Sequence, residues 1–269
     1  MRKLKNLTED EEIEVFEERK SGLKRKDILD KWGISMRSYT NIMSKFGVVT
    51  RWRYFNIDYF EKIDTEDKAY FLGFIIADGA ISNNSNNISI IQKDPYILYE
   101  FKKYIEFSGD VYGFYKNKNV CSINFSSSKT KNDLSKLGVF PNKTYTIKYP
   151  DIPEELQNHF IRGVFDGDGC ISLRKDKDGH QRGQFNICSG SYDFIVEYYN
   201  RLVNYCGLSG NNKIRNPKGS YYVVDWGGMS DIEKIYDFLY KDASVFLPRK
   251  KETFDKVVDI TKNKLKYRK

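Results

Sequence analysis

Two stretches of the chain carry the same pattern of apolar residues interrupted by small ones. The first is Tyr70-Phe71-Leu72-Gly73-Phe74-Ile75-Ile76-Ala77-Asp78-Gly79-Ala80-Ile81-Ser82, and the second is Phe160-Ile161-Arg162-Gly163-Val164-Phe165-Asp166-Gly167-Asp168-Gly169-Cys170-Ile171-Ser172. Each is followed by a polar turn and a strand, Ile88–Gln92 in one and Phe185–Ser189 in the other. An amphipathic helix comes next, over Tyr96–Glu106 and Phe194–Cys206. A further hairpin then ends at Ser122–Phe125 and Tyr222–Trp226, and a closing helix lies near Thr130–Leu137 and Ser230–Tyr240. The pattern predicts tandem αββαββα repeats over residues 67–150 and 151–269. That is a pseudo-twofold α+β domain with two antiparallel sheets side by side.

Ahead of the repeats, residues 1–46 read as a small all-α domain. Thr8 is a candidate N-cap followed by acids, which complement the helix dipole. Lys24–Trp32 predicts a second helix with Ile28 and Leu29 inward. Gly33-Ile34-Ser35 makes a turn, and Met36–Lys45 a third helix bearing Arg37, Tyr39 and Asn41. The sequence of helix, tight turn and polar helix is a helix-turn-helix pattern, although an ordinary three-helix bundle has the same signature. Residues 47–66 read as a linker. Its Arg51-Trp52-Arg53-Tyr54-Phe55 suits either a phosphate backbone or the docking of two domains.

In both repeats the small residues recur four apart, Gly73 with Ala77 and Gly163 with Gly167, on one face of a helix where two backbones can approach closely. Gly79 and Gly169 stand where a left-handed residue after a helix is expected. Asp78 and Asp168 therefore end two helices packed against each other. Each meets the negative end of a helix dipole, and the pair repel. Divalent cations would relieve both effects, and hard oxygen ligands with incomplete protein coordination suit Mg²⁺. An Asp that merely caps a turn is the alternative for one copy; two copies favour the metal.

The charge balance suits a polyanionic partner, although a soluble protein that is merely lysine-rich has the same balance. Lys and Arg number 45 against 37 acids, a net charge of +8. The four cysteines, Cys121, Cys170, Cys188 and Cys206, form no CxxC pair. With only His159 and His180 beside them, neither a structural zinc site nor an HNH-type site is expected. No apolar run approaches membrane-spanning length and the N-terminus is charged, so a soluble, intracellular protein is expected, with no membrane partner.

Phe71–Gly79 and Ile161–Gly169 resemble the two motifs of the LAGLIDADG homing endonucleases, and the resemblance covers roughly residues 67–260. It implies a Mg²⁺-dependent enzyme that hydrolyses both strands of double-stranded DNA at a long, asymmetric target, with short 3′ overhangs. The family's metal-binding acids fall on Asp78 and Asp168, with the adjoining Ala77 and Gly167 in the candidate ligand set. The motif's sixth position, often acidic, is Ile76 in one copy and Asp166 in the other. A polar residue at the end of the second strand falls on Gln92 and, in the second copy, Ser189. A late basic residue falls on Lys143 in Phe140-Pro141-Asn142-Lys143 and on Lys250 in Leu247-Pro248-Arg249-Lys250. An ordinary surface lysine is the alternative for both.

The strands after the acids predict a DNA-facing surface. In the second repeat Ile171 and Leu173 face inward, while Ser172, Arg174 and Lys175, opposite Arg182, Gln184 and Asn186, offer groups that read base edges. The first repeat offers the less charged Ser82, Asn84 and Ser89. Arg37, Tyr39 and Asn41 are the candidate contacts of the N-terminal domain, and the basic tail Thr261–Lys269 could grip phosphate. A monomer is expected, because unlike halves within one chain suit an asymmetric target. Two alternatives share the fold: a DNA-binding regulator that has lost cleavage, and an RNA-splicing maturase with intron RNA as partner. Met1 and the closing Tyr267-Arg268-Lys269 lack a splicing nucleophile or terminal Asn, so an intein is not expected.

Overall fold

A computed structural model of the protein describes residues 7–47, 53–113, 119–175, 179 and 181–266, the last six as backbone only. Helix α1 (Glu9–Lys20) begins at a reciprocal cap, the Thr8 hydroxyl accepting the Glu11 amide and the Glu11 carboxylate accepting the Thr8 amide. Helix α2 (Arg25–Trp32) stops at Gly33 in the left-handed conformation, and α3 (Met36–Lys45) starts at Ser35, whose hydroxyl accepts the Ser38 amide. Val15, Phe16, Ile28, Ile34, Tyr39, Ile42 and Met43 form their shared core.

Tyr39 is thereby removed from the DNA contacts. It stands three and four residues before Ile42 and Met43, on the same helical stripe, and is fully buried. Arg37 and Asn41 lie on the exposed face of α3. Arg51 and Trp52 fall outside the described residues. Beyond them, the aromatics of the connecting segment divide between two cores: Tyr54 packs edge-on to Phe16, whereas Phe55, Tyr59 and Phe60 enter the larger one.

The larger core gathers two units of the same order. The first is α4 (Glu66–Asp78), β1 (Gly79–Ile81), β2 (Asn87–Gln92), α5 (Pro95–Tyr104), β3 (Cys121–Ser126) and α6 (Ser128–Lys136). The second is α7 (Gln157–Asp168), β4 (Gly169–Lys175), β5 (Gln181–Ser189), α8 (Tyr192–Cys206), β6 (Tyr222–Trp226) and α9 (Met229–Tyr240), followed by α10 (Pro248–Lys266). Each unit forms one antiparallel sheet, in the orders β1-β2-β3 and β4-β5-β6. The register repeats as well: Gly79 pairs with Ile90, and Gly169 with Ile187. Among the described residues the expected fourth strand of each sheet is a single bridge, Tyr112 with Ser122 and Arg215 with Val223.

Helices α4 and α7 lie against each other along the predicted small residues. A methyl added at Gly163 would overlap the Tyr70 carbonyl oxygen, one at Gly73 the Phe160 carbonyl, and one at Gly167 the Ala77 methyl. Backbone therefore rests on backbone, at a separation only glycine permits. The far end of the seam is fixed by Arg162, fully buried, which donates to the Leu239 and Val245 carbonyls and to the Glu66 carboxylate. Pairing and hydrogen bonding offset the cost of burying its charge.

Gly79 and Gly169 are not left-handed. Both are extended, with φ −84° and −87°, because each helix passes directly into a strand. Glycine is required there for room: a Cβ would lie 2.6 Å from the Ile75 carbonyl oxygen at one site and 2.7 Å from that of Phe165 at the other. Nor does Leu173 face a core. It is 37% exposed, because β4 runs out past the helices that cover its beginning. Helix α10 reaches well upstream of the expected tail. Pro248 opens its first turn, and Phe254, Val257 and Val258 bury one stripe. Gly183 lets it cross β5, since a Cβ there would stand 2.5 Å from Val257 Cγ1. Side chains from residue 261 onward, including the basic tail, lie outside the described set. No helix among the described residues is long and apolar enough to cross a membrane.

Candidate active site

The two motif acids leave the ends of α4 and α7 where the seam is tightest. A Cβ built on Gly167 would lie 3.2 Å from Asp78 Oδ2, so the residue before Asp168 is all but touching the opposite acid. Both carboxyls are pushed above their ordinary range. For Asp78 the cause is crowding by protein, partly offset by a 2.5 Å hydrogen bond from Gln92 Nε2. Asp168 rises from 3.8 to about 6, first from crowding and then from the Asp78 charge. Its outer edge reaches solvent, and among the described residues nothing donates a hydrogen bond to its carboxylate. At both acids the charges of Lys250 and Lys143 pull the other way without cancelling the effect of burial.

Lys143 and Lys250 approach this pair from opposite sides with matching contacts. Lys143 Nζ donates to the Gly79 carbonyl at 2.6 Å, and Lys250 Nζ to the Gly169 carbonyl at 2.6 Å. Each lysine thus holds the carbonyl just after one of the acids. Neither is an ordinary surface lysine: Lys143 is half-buried, Lys250 is 8% exposed, and burial lowers the pKa of both against the pull of Asp78 and Asp168. Lys250 also bonds the Phe165 carbonyl at 2.6 Å and reaches the Gly167 carbonyl at 3.4 Å. Asp78, Asp168, Lys143, Lys250 and Gln92 therefore converge, with Ala77 and Gly167 at the contact between the helices.

Ser189 does not join them. It occupies the position that register assigns to Gln92, two residues beyond the partner of the motif glycine, yet its hydroxyl accepts the Ser191 amide in a local turn. Asp166 also lies apart. It is buried inside the seam and accepts Tyr70 OH at 2.8 Å and the Leu247 amide at 2.7 Å. Sequence reasoning gave Asp166 no partner, because its partners are 96 and 81 residues away along the chain.

The outer faces of the two sheets differ. On the second sheet the cross-strand pairs Cys170–Asn186, Ser172–Gln184 and Arg174–Arg182 share one face. The strand alternation puts Lys175 on the opposite face, at the strand's end, so it leaves this set. Two unpredicted residues join the face. Asp225 accepts Gln184 Nε2 at 2.9 Å and pairs with Arg215, and together with Arg174 and Asn186 they line a cavity of about 430 Å³. The alternation within Tyr222–Trp226 was the signal that could have revealed Asp225. On the first sheet Ser89 faces outward between Ala80 and Asn124. Ser82 pairs with Asn87 at the hairpin end, and Asn84 is exposed in the tip. Lys131 anchors that tip through the Ser82 and Ser85 carbonyls, each at 2.8 Å.

No protein-family model matches the sequence. The chain is 25% identical over 210 residues to a probable translation initiation factor IF-2 of Methanocaldococcus jannaschii, an alignment covering 74% of this chain but 16% of that protein. Solved structures match more fully. The meganuclease I-SmaMI bound to uncleavable DNA aligns with TM-score 0.52 and 17% identity over 73% of this chain and 91% of its own. The LAGLIDADG homing endonuclease I-LtrWI bound to target DNA aligns with TM-score 0.51 and 14% identity over 78% and 92%. I-GzeII, in complex with its DNA target, gives 0.52 and 14% over 76% and 92%. The fold of this chain is that of the LAGLIDADG homing endonucleases.

Proposed function

We propose that this chain, with its LAGLIDADG homing endonuclease fold, is a site-specific endonuclease that hydrolyses both strands of a long, asymmetric DNA target using a divalent cation, Mg²⁺ in the cell. One observation carries the reading. Two carboxylates, Asp78 and Asp168, meet at a seam built from glycines and are flanked by a half-buried Lys143 and a buried Lys250 in matching positions. A protein that only bound DNA would gain nothing from acids held beside phosphate.

The donor set fits such a cation. Asp78 and Asp168 would hold it, with the carbonyls of Ala77 and Gly167 nearby. No cluster of three or more His, Cys, Asp or Glu side chains able to hold a metal occurs among the described residues. Two carboxylates leave most of the coordination to water and phosphate, the usual arrangement for Mg²⁺. When bound, the cation supplies a nucleophilic water and stabilises the leaving oxygen.

The chain's own groups do the rest. Gln92 orients Asp78 through its 2.5 Å bond. Lys143 and Lys250 set positive charge where negative charge develops on the phosphate, and their lowered pKa values suit them to hand over a proton. Each sheet lays its outer face along a major groove, Arg174, Arg182, Gln184 and Asn186 on one side and Ser82, Asn84 and Ser89 on the other. Residues 1–46 add contacts through Arg37 and Asn41. Both half-sites belong to one chain, so a monomer suffices.

The test is to select cleaved sites from a randomised duplex library with Mg²⁺. Cleavage that disappears with EDTA, and with Asp78→Asn or Asp168→Asn at retained DNA binding, is the expected result. Metal-independent cutting, or wild-type cutting by the double variant, would overturn the proposal.

A further inference from the structure

Asp166 has no catalytic task in the reading above, yet it is the only carboxylate buried in the seam among the described residues. Its Oδ2 accepts the Leu247 amide at 2.7 Å and the Tyr70 hydroxyl at 2.8 Å. Leu247 immediately precedes α10, and its carbonyl accepts the amides of Lys250 at 3.0 Å and Lys251 at 3.2 Å. Leu247 is thus pinned at its amide by Asp166 and at its carbonyl by the turn that carries Lys250. Pro248 adds no amide, so the Asp166 bond is the side-chain anchor for the start of this helix. From there the Lys250 side chain returns to the Phe165 carbonyl on α7 and the Gly169 carbonyl at the start of β4, on either side of Asp166 in the chain.

The first repeat lacks this device. Ile76 stands at the position of Asp166, and Lys143 rides on a three-residue 3-10 turn after Asn142, which adopts φ +60°. Among the described residues its ammonium has one carbonyl partner, Gly79.

We propose that Asp166 is a positioning residue which, through Leu247 and the first turn of α10, fixes the Lys250 ammonium on the Gly169 carbonyl next to the paired acids, so that one of the two strand cuts depends on Asp166 and the other does not. The proposal deepens the nuclease reading and rests on it. Replacing Asp166 frees the start of α10. Lys250 then loses its registry with the Gly169 carbonyl, while Lys143 keeps its own.

The experiment uses the full chain, Mg²⁺ and a cognate duplex carrying a different label on each strand. Asp166→Leu fills the volume without an acceptor. Asp166→Asn keeps one carbonyl oxygen for both donors and discards the charge. With wild type cutting both strands, Asp166→Leu is expected to slow one strand about tenfold or more relative to the other, since displacing a catalytic group by ~1 Å costs up to ~100-fold. Asp166→Asn is expected to restore the wild-type strand ratio to within about threefold, as rescue by the retained acceptor requires. In a Lys250→Met background, Asp166→Leu should add nothing to the ratio. Where the Leu variant does not show a thermal unfolding transition, Asp166→Ser replaces it. Equal slowing of both strands by a folded variant would reduce Asp166 to a structural role and overturn the proposal. So would an Asn variant as unbalanced as Leu, or a further change on top of Lys250→Met. A wild type that cuts neither strand defeats the nuclease reading instead.

Discussion

The two halves of the molecule place the same chemical groups by different means. In the first, the acid is held and the lysine is loosely mounted: Gln92 grips Asp78, while Lys143 stands on a single turn with one carbonyl partner among the described residues. In the second, the acid is free and the lysine is held. The Asp168 carboxylate receives no hydrogen bond among the described residues, whereas Lys250 is fixed by the Phe165 and Gly169 carbonyls and by a 19-residue helix. The residues after each lysine explain the divergence. Thr144–Pro153 contains two prolines that cannot propagate a helix, whereas Arg249–Lys266 has neither proline nor glycine and buries Phe254, Val257 and Val258. Pseudo-symmetry preserves where a charge must be and leaves its mounting free to vary.

The largest effect that could break this comparison is at the acids, where the halves should be equal. Asp78→Asn and Asp168→Asn should each lower double-strand cleavage by about a thousandfold or more, roughly 4 kcal/mol of barrier, measured by plasmid linearisation at saturating Mg²⁺. Unequal losses would mean that one acid dominates. Lysine substitutions come next and should be unequal. Lys250→Met should cost about 100-fold in cleavage, within the range of a general acid or base, and should also destabilise the fold by ~1–3 kcal/mol by leaving buried carbonyls unpaired. Lys143→Met should slow cleavage similarly with a smaller drop in Tm, so calorimetry beside single-turnover kinetics separates the two mountings.

At the polar residues the asymmetry reverses. Gln92→Ala should slow cleavage by about five- to tenfold, in line with losses of groups that orient metal ligands, while Ser189→Ala should leave the rate near wild type. A comparable loss at Ser189 would contradict its local turn. Titration gives the finest distinction. Folded Asp168 titrates near 6, well above its ordinary 3.8. Between those values the folded state binds more protons than the unfolded, so this group lowers stability as pH rises through the window. In metal-free protein at pH 8, Asp168→Asn should therefore raise Tm by roughly 2–4 °C, about 1 kcal/mol once solvent screening of its open edge is counted. The gain should shrink as pH falls through this window, vanish below about pH 3, under both values, and be smaller for Asp78→Asn, whose charge Gln92 already stabilises. Cleavage should fall on acidification, and at a higher pH when Mg²⁺ is scarce, since a protonated Asp168 holds a cation poorly.

Much of this was legible in the sequence because it depends on local periodicity. The doubled Gly-xxx-small spacing placed α4 and α7 together, and strand alternation put Ser172, Arg174, Gln184 and Asn186 on one face. Misreadings arose where two local rules competed. Gly79 and Gly169 look like helix-ending glycines by position, but a strand follows at once and the constraint is steric. Tyr39 is polar enough to suggest a contact, yet its spacing to Ile42 and Met43 had already put it inside. What could not be read locally were links spanning the chain. The bonds from Asp166 to Tyr70 and Leu247, and from Lys250 to the end of α7, exist only after the halves have docked.

The glycine seam has one more implication. Where two helices meet through bare main chain, their spacing is set by atomic radii common to every protein, and any substitution can only push them apart. The offset between two scissions made at such a centre is then a hard-wired ruler. Drift on the sheet faces can rewrite which sequence is recognised, but the stagger of the cut ends should stay constant across every relative that keeps those glycines.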